Sequence, residues 1–366
     1  MKSKLQTVPK LIRSVVSEYG LFKLSFSITN ICNLRCKNCN IWRTYNESSE
    51  KLAEELTSDE YRKIFAQLPK SLSIIEFTGG EPFLRPDFQE ILVSSLTLVN
   101  PRQIYIPTNG FAVEQIANTI NGVVTSKEWR ASCSEITVGV SIDGFADSHD
   151  YLRGLNGVYS RAWKTFELLN EISHREPRLK CFISSTLFNY SIRNGNLFGF
   201  LKMLNDRHIP YGIQNCNSSE YYSLTQNETI PLEISETVNV IKEKVIPVHT
   251  SGLLSKFYWH KTIDFLKNPE KFVLPCPALK MFCAVDPYGN VWPCLMWPQK
   301  IANLRNHNYD LKNLLCANKG KVKDFIHIIN KEKCPNCWTP CTSGQRITYC
   351  LLTKPWRLLS VVRCLR

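Results

Sequence analysis

The sequence predicts an α/β fold, a partial (β/α)6 TIM-like barrel carrying a small cysteine-rich carboxyl-terminal domain, and three observations lead there. Short apolar, β-rich runs alternate with helical stretches between residues 24 and 230, and such alternation implies parallel strands joined by right-handed crossovers. About six such units can be counted, fewer than the eight that close a barrel. Past residue 231 the alternation stops, and Cys276, Cys283, Cys294, Cys316, Cys334, Cys337, Cys341 and Cys350 crowd together among prolines such as Pro275 and Pro335.

Residues 1–23 place Pro9 ahead of Leu11, Ile12, Val15 and Val16, the spacing of a short amphipathic helix. It reads as packing on the main domain rather than touching a membrane. Residues 24–29 alternate apolar and hydroxyl side chains and form the first expected strand, which runs straight into Cys32, Cys36 and Cys39. Thr57 and Glu60 make a capping-box pattern ahead of Tyr61, Ile64, Phe65 and Leu68. Further strands are expected at 73–78, 103–108, 136–142, 180–187 and 210–215, with helices near 87–98, 113–124, 159–172 and 194–205. The barrel is thus assigned to 24–230 and a helical connection to 231–275, with a helix at 234–245. The cysteine-rich domain takes 276–350, where no conventional core is expected and metal is expected to support folding. Residues 351–366, with Trp356, Leu358, Leu359, Val361 and Val362 among basic residues, read as a basic amphipathic tail packed on its own domain.

A chain of 366 residues that is 43% hydrophobic can bury a large core and is not a disordered protein. It has no apolar run of about 18 residues, and its first twenty positions lack a cleavage site, so a cytoplasmic location is expected. Fifteen cysteines in CxxC-like groups, without a secretion signal, point to metal ligation and oxygen sensitivity rather than to disulfides. The net charge of +13 suits anionic partners. Lys and Arg are nevertheless spread along the chain as a solvated basic surface, and no basic block interleaved with aromatics marks a nucleic-acid groove.

Cys32, Cys36 and Cys39 form a CxxxCxxC array with no fourth ligand nearby. A structural zinc site is closed by four protein ligands, whereas a four-iron, four-sulfur (4Fe-4S) cluster held by three cysteines leaves one iron open to a small molecule. Unusual residues also follow the expected strands: Gly79-Gly80-Glu81-Pro82 after the second, Asn109-Gly110 after the third, and Ser141-Ile142-Asp143-Gly144 at the end of the fourth. In parallel α/β folds the carboxyl ends of the strands are where chemistry resides.

CNLRCKNC, TGGEP, TNG and SIDG, in this order and spacing, resemble the radical S-adenosylmethionine (SAM) superfamily, with a carboxyl-terminal domain of the SPASM type; the resemblance runs over residues 24–350. It implies that Cys32, Cys36 and Cys39 ligate a 4Fe-4S cluster whose open iron is chelated by SAM. It further implies that Gly79 and Gly80 permit close backbone approach, that Glu81 receives the methionine ammonium, and that Ser141 contacts the methionine carboxylate or ribose. Arg153 would present a planar fork to a carboxylate. Asn109 is either a SAM contact or a turn residue of the Asn-Gly type. The family carries an aromatic residue just before the third cysteine, and here that position is Asn38, which shifts the adenine contacts to backbone, Ile41 or Trp42.

Cys276, the DPYGNVWPC run ending at Cys294, and the CPNCWTPC run containing Cys334, Cys337 and Cys341 resemble a shortened SPASM domain. One or two auxiliary iron–sulfur clusters follow from the resemblance, with zinc as the competing occupant. The ligands are expected first from Cys294, Cys334, Cys337 and Cys341 and then Cys276, with Cys283, Cys316 and Cys350 unassigned. Cys133, Cys181 and Cys364 read as core or tail residues, and Cys216, ending the sixth strand, can face the substrate.

The implied activity is reductive cleavage of SAM to a 5′-deoxyadenosyl radical that takes hydrogen from a peptide or protein side chain. An electron donor such as flavodoxin or ferredoxin is implied as a partner. The alternatives are an anionic small molecule, carbohydrate or lipid as substrate, and, outside enzymes, an iron–sulfur electron carrier.

Overall fold

The computed structural model describes residues 20–37, 39–47, 49–193, 196–215, 219, 234–245 and 253–354. The expectations for residues 1–19, Asn38, Cys216 and the tail from 355 onward, Cys364 included, lie outside the described residues.

Six strands follow one another in a single parallel sheet: β1 (Lys23–Ser27), β2 (Ile74–Thr78), β3 (Gln103–Thr108), β4 (Glu135–Ser141), β5 (Leu179–Leu187) and β6 (Tyr211–Asn215). Each begins and ends within two residues of the run read from the sequence. Sequential order in the sheet is the open, partial barrel expected of fewer than eight units. Period-two alternation decides which side chains face where. Leu24, Phe26, Ile75, Phe77, Ile104 and Ile106 enter the main hydrophobic core. The opposite face of the strands carries Lys23, Gln103, Tyr105, Thr137, Ser184 and Gln214, which line a cavity of about 650 Å³.

Helices α1 (Ser58–Ala66), α2 (Phe88–Leu98), α3 (Val113–Thr125), α4 (Ala146–Arg153), α5 (Val158–Arg175) and α6 (Asn196–Asp206) lie between the strands. The capping box forms as read: Thr57 Oγ1 accepts from the Glu60 N–H at 3.3 Å, and Glu60 Oε2 accepts from the Thr57 N–H at 2.9 Å. Phe26, Tyr61, Phe65, Phe77 and Phe88 then pack ring to ring between α1, α2 and the sheet. Helix α4 was not expected, because Ala146–Arg153 offers only Leu152 and Tyr151 as large apolar residues and no side-chain cap.

The cysteine-rich region differs from expectation. Its strand β7 (Phe282–Val285) pairs in parallel with β1, and β8 (Val291–Trp292) pairs antiparallel to β7, so the region extends the main sheet. Met281, Ala284, Val285, Val291, Leu304, Leu314 and Trp338 are buried, so a conventional apolar core does exist there. The apolar run at 281–285 is too short, and too close to Pro277 and Pro287, to declare itself as a strand. A helix at Ile234–Val240, continued by a π-helical turn at Ile241–Val245, falls where one was expected, and helices α7 (Leu253–Lys267), α8 (Leu311–Ala317), α9 (Lys319–Asn330) and α10 (Pro340–Thr353) follow it. Among the described residues, no helix is long and apolar enough to cross a membrane.

Candidate functional site

The loop carrying Cys32, Cys36 and Cys39 leaves the carboxyl end of β1 and is held from two sides. On one side Gly80 N–H donates to Thr29 O at 2.8 Å and Glu81 N–H to Ile31 O at 2.7 Å. The glycines allow this approach: a Cβ on Gly79 would lie 2.2 Å from Thr29 O, and one on Gly80 2.1 Å from Ile31 O. On the other side Arg35 N–H and Lys37 N–H donate to the carbonyls of Arg153 and Leu152, at 3.2 and 2.9 Å, at the carboxyl end of α4.

The three thiols sit with Leu34, Val158 and Phe111 in a small apolar cluster of their own. Burial pushes the Cys32 and Cys39 thiols up to about 12, so the loop is a dry setting for sulfur. Arg153 Nη1 points at Cys36 Sγ from 3.9 Å, its Nη2 pairs with Asp143 Oδ2 at 2.6 Å, and its buried Nε has no hydrogen-bond partner. Asp143 is fixed in turn, its Oδ1 accepting from Thr186 N–H at 2.8 Å.

Glu81 is buried, and its carboxylate is met by protein donors. Oε1 accepts from Thr108 Oγ1 at 2.8 Å and Phe83 N–H at 3.3 Å, and Oε2 from Asn109 N–H at 2.7 Å. Burial raises this carboxyl to about 7 against those donors and the nearby Arg153 charge. Asn109 reaches over the loop, with Nδ2 at 2.9 Å from Asn33 Oδ1 and 3.9 Å from Cys32 Sγ. The structure therefore gathers Cys32, Cys36, Cys39, Gly79, Gly80, Glu81, Asn109 and Arg153. Ser141 stands at the end of β4, beside Ser184, partly exposed. Asp143 in the SIDG run and Thr108 directly before Asn109 join the site through Arg153 and Glu81, contacts that no local motif reveals.

A second group of thiols forms in the cysteine-rich region. Cys276, Cys334 and Cys337 all act electrically on Cys294, whose thiol is raised well above its ordinary range, by burial first and then by those neighbours. Cys334 is pushed up to about 12, again by burial and then by Cys276 and Cys337. Cys341 is coupled to this group through Cys337 and also reaches the barrel: its Sγ donates to Glu76 Oε1 at 3.3 Å, Glu76 pairs with Lys23 at 2.8 Å, and Lys23 and Cys341 line the cavity on the inner face. Cys283 and Cys350 are packed in the main core and Cys316 is exposed. Among the described residues, no three His, Cys, Asp or Glu side chains converge as the ligands of a single ion would. A multi-iron cluster asks for less convergence, because each thiolate binds a different iron.

Residues 26–189 match the Radical SAM superfamily. This part of the chain is a radical SAM domain. The family uses a 4Fe-4S cluster and SAM, and the dry trio of thiols beside an unpartnered buried guanidinium nitrogen fits an anionic cluster. The extra cysteines fit an auxiliary one.

The chain is 28% identical over 320 residues to the antilisterial bacteriocin subtilosin biosynthesis protein AlbA of Bacillus subtilis, covering 85% of this chain and 64% of AlbA. It is 25% identical over 235 residues to the Fe-coproporphyrin III synthase of Methanosarcina barkeri, covering 62% and 52% respectively. The chain thus spans roughly half to two thirds of the length of these relatives. Its fold matches that of anSMEcpe, solved with bound AdoMet and a Cp18Cys peptide, at a TM-score of 0.58 and 14% identity, covering 94% of this chain and 99% of that one.

Proposed function

We propose that this chain is a radical SAM enzyme that modifies a peptide, with Cys32, Cys36 and Cys39 as the ligands of the SAM-binding cluster. The observation that supports it most is the gathering of these thiols with Glu81, Asn109 and Arg153 where β1–β3 and α4 end. When bound and reduced, the cluster supplies the electron that splits SAM into methionine and a 5′-deoxyadenosyl radical. Glu81 Oε2 has a lone pair left for the methionine ammonium after Asn109 N–H is satisfied. Arg153, oriented by Asp143, offers its remaining donor to a carboxylate. Leu34, Val158 and Phe111 keep water from the loop.

Cys276, Cys294, Cys334 and Cys337 are assigned to one auxiliary cluster, since these four act on one another, whereas Cys341 is coupled to Cys337 alone among them and bonds to Glu76. Four protein ligands leave no open iron, which suits taking up an electron rather than holding substrate. The cavity of about 650 Å³ on the inner face of the barrel is assigned to the substrate. A flavodoxin or ferredoxin as donor and a cytoplasmic setting suit cysteines that form no disulfide among the described residues.

AlbA and the peptide-bound anSMEcpe favour a peptide substrate. The M. barkeri relative favours a second reading, an anionic tetrapyrrole-like small molecule. Reduced enzyme should be incubated anaerobically with SAM and a deuterated precursor peptide encoded beside its gene. Deuterium appearing in 5′-deoxyadenosine supports the peptide reading. Deuterium arriving only from a labelled porphyrin overturns it.

A further inference from the structure

Arg346 lies on α10 and is 1% exposed. A guanidinium keeps its charge at any accessible pH and is costly to bury without an anion. Among the described residues, no carboxylate lies within ion-pair distance of it, and its Nε and Nη1 are buried without hydrogen-bond partners. What it does face is sulfur: Nη2 points at Cys337 Sγ from 4.0 Å, and the guanidinium is drawn to Cys276 both by charge and by a side-chain hydrogen bond, and by charge to Cys334. Its flat face is covered by the Phe272 ring at 4.8 Å. Neutral thiols cannot balance such a cation. Four thiolates around a 4Fe-4S cluster carry net negative charge at the required place, and the guanidinium N–H groups on this side are donors available to cluster sulfur.

We infer that Arg346 is the built-in counter-ion of the auxiliary cluster, tuning its reduction potential through charge and hydrogen bonds to sulfur. The inference rests on the auxiliary-cluster assignment above. A nearby cation favours the more negative, reduced state of a cluster, so Arg346 raises the potential. Arg346 is a positioning and tuning residue and not a cluster ligand.

The test is a redox titration followed by electron paramagnetic resonance on reconstituted full-length Arg346→Met and Arg346→Lys proteins, in a background where Cys32, Cys36 and Cys39 are replaced by Ala so that only the auxiliary signal remains. The expected result is a more negative midpoint in the Met variant, a midpoint nearer to that of the Arg346-containing parent in the Lys variant, and faster iron loss to a chelator in the Met variant. Equal midpoints and equal iron retention in all three proteins overturn the inference. Should Arg346→Met fail to fold, Arg346→Gln takes its place: it keeps hydrogen-bond donors but loses the charge, so its midpoint must fall below that of the parent, and an unmoved midpoint overturns the inference. A Cys294→Ala protein in the same background separates the two ideas. If it keeps all its iron, the cluster assignment fails; if it loses iron while Arg346→Met leaves the potential unmoved, the Arg346 role alone fails.

Discussion

Replacing Gly80 by Ala tests how the cysteine loop is held. The added Cβ would stand 2.1 Å from Ile31 O and 2.6 Å from Ile31 C, where ordinary contact begins at 3.4 Å, so it falls about 1.3 Å short. The obstacle is backbone, one residue before Cys32, and cannot swing aside as a side-chain tip would. Relief requires giving up the Gly80-to-Thr29 and Glu81-to-Ile31 hydrogen bonds. Two buried backbone bonds at about 1 kcal/mol each, plus desolvated groups left unpaired, put the cost at about 2–4 kcal/mol. Gly157→Ala is the control: its φ is +81° but no atom lies within 4 Å of the new Cβ, so only the backbone strain of about 1–2 kcal/mol remains. Denaturant unfolding of both variants, with iron counted after reconstitution, reads the difference. Gly80→Ala should be the less stable and should lose the iron of the first cluster, whereas Gly157→Ala should keep it. Equal stability with full iron in both would refute the reasoning.

Arg153→Met strands the buried Asp143 carboxylate and should cost about 3–5 kcal/mol in thermal or denaturant unfolding; adding Asp143→Asn should recover part of that stability without recovering SAM cleavage. Cys341→Ser should keep the auxiliary iron that Cys334→Ala loses, as counted by colorimetric iron assay, because the Cys341 thiol, though coupled to Cys337, bonds to Glu76. The Glu60 carboxyl is held down at about 2, chiefly by the hydrogen bond from Arg305. Its stabilisation is therefore fully present above the ordinary carboxylate value of 4.5 and is lost as pH falls toward 2. Arg305→Ala should remove that part of the acid dependence, which melting curves between pH 5 and 2 would show as a shallower decline.

The barrel was legible because each strand is an alternating or apolar run closed by glycine or a polar turn, and the capping box at Thr57 and Glu60 marked α1 within a residue. The thiol loop and the GGEP run were legible as motifs, since their chemistry depends on local spacing. What escaped depends on contacts distant in sequence. Asp143 matters through Arg153, ten positions on, after a helix with few apolar residues. β7 forms because β1 has an unpaired edge, which a four-residue run cannot reveal by itself. Cys341 also bonds to Lys23 and Glu76, over two hundred and sixty positions away, and no spacing rule records that. Arg346 carries no motif; only its burial among sulfurs makes it stand out.

Cys32, Cys36 and Cys39 are proposed to start a radical from SAM. Anaerobically reconstituted and dithionite-reduced protein should be incubated with SAM and the products separated by liquid chromatography. 5′-Deoxyadenosine should accumulate with the wild-type chain and be absent with Cys36→Ala. Its absence from fully reconstituted, reduced wild-type protein, or its equal formation by the variant, would contradict the claim.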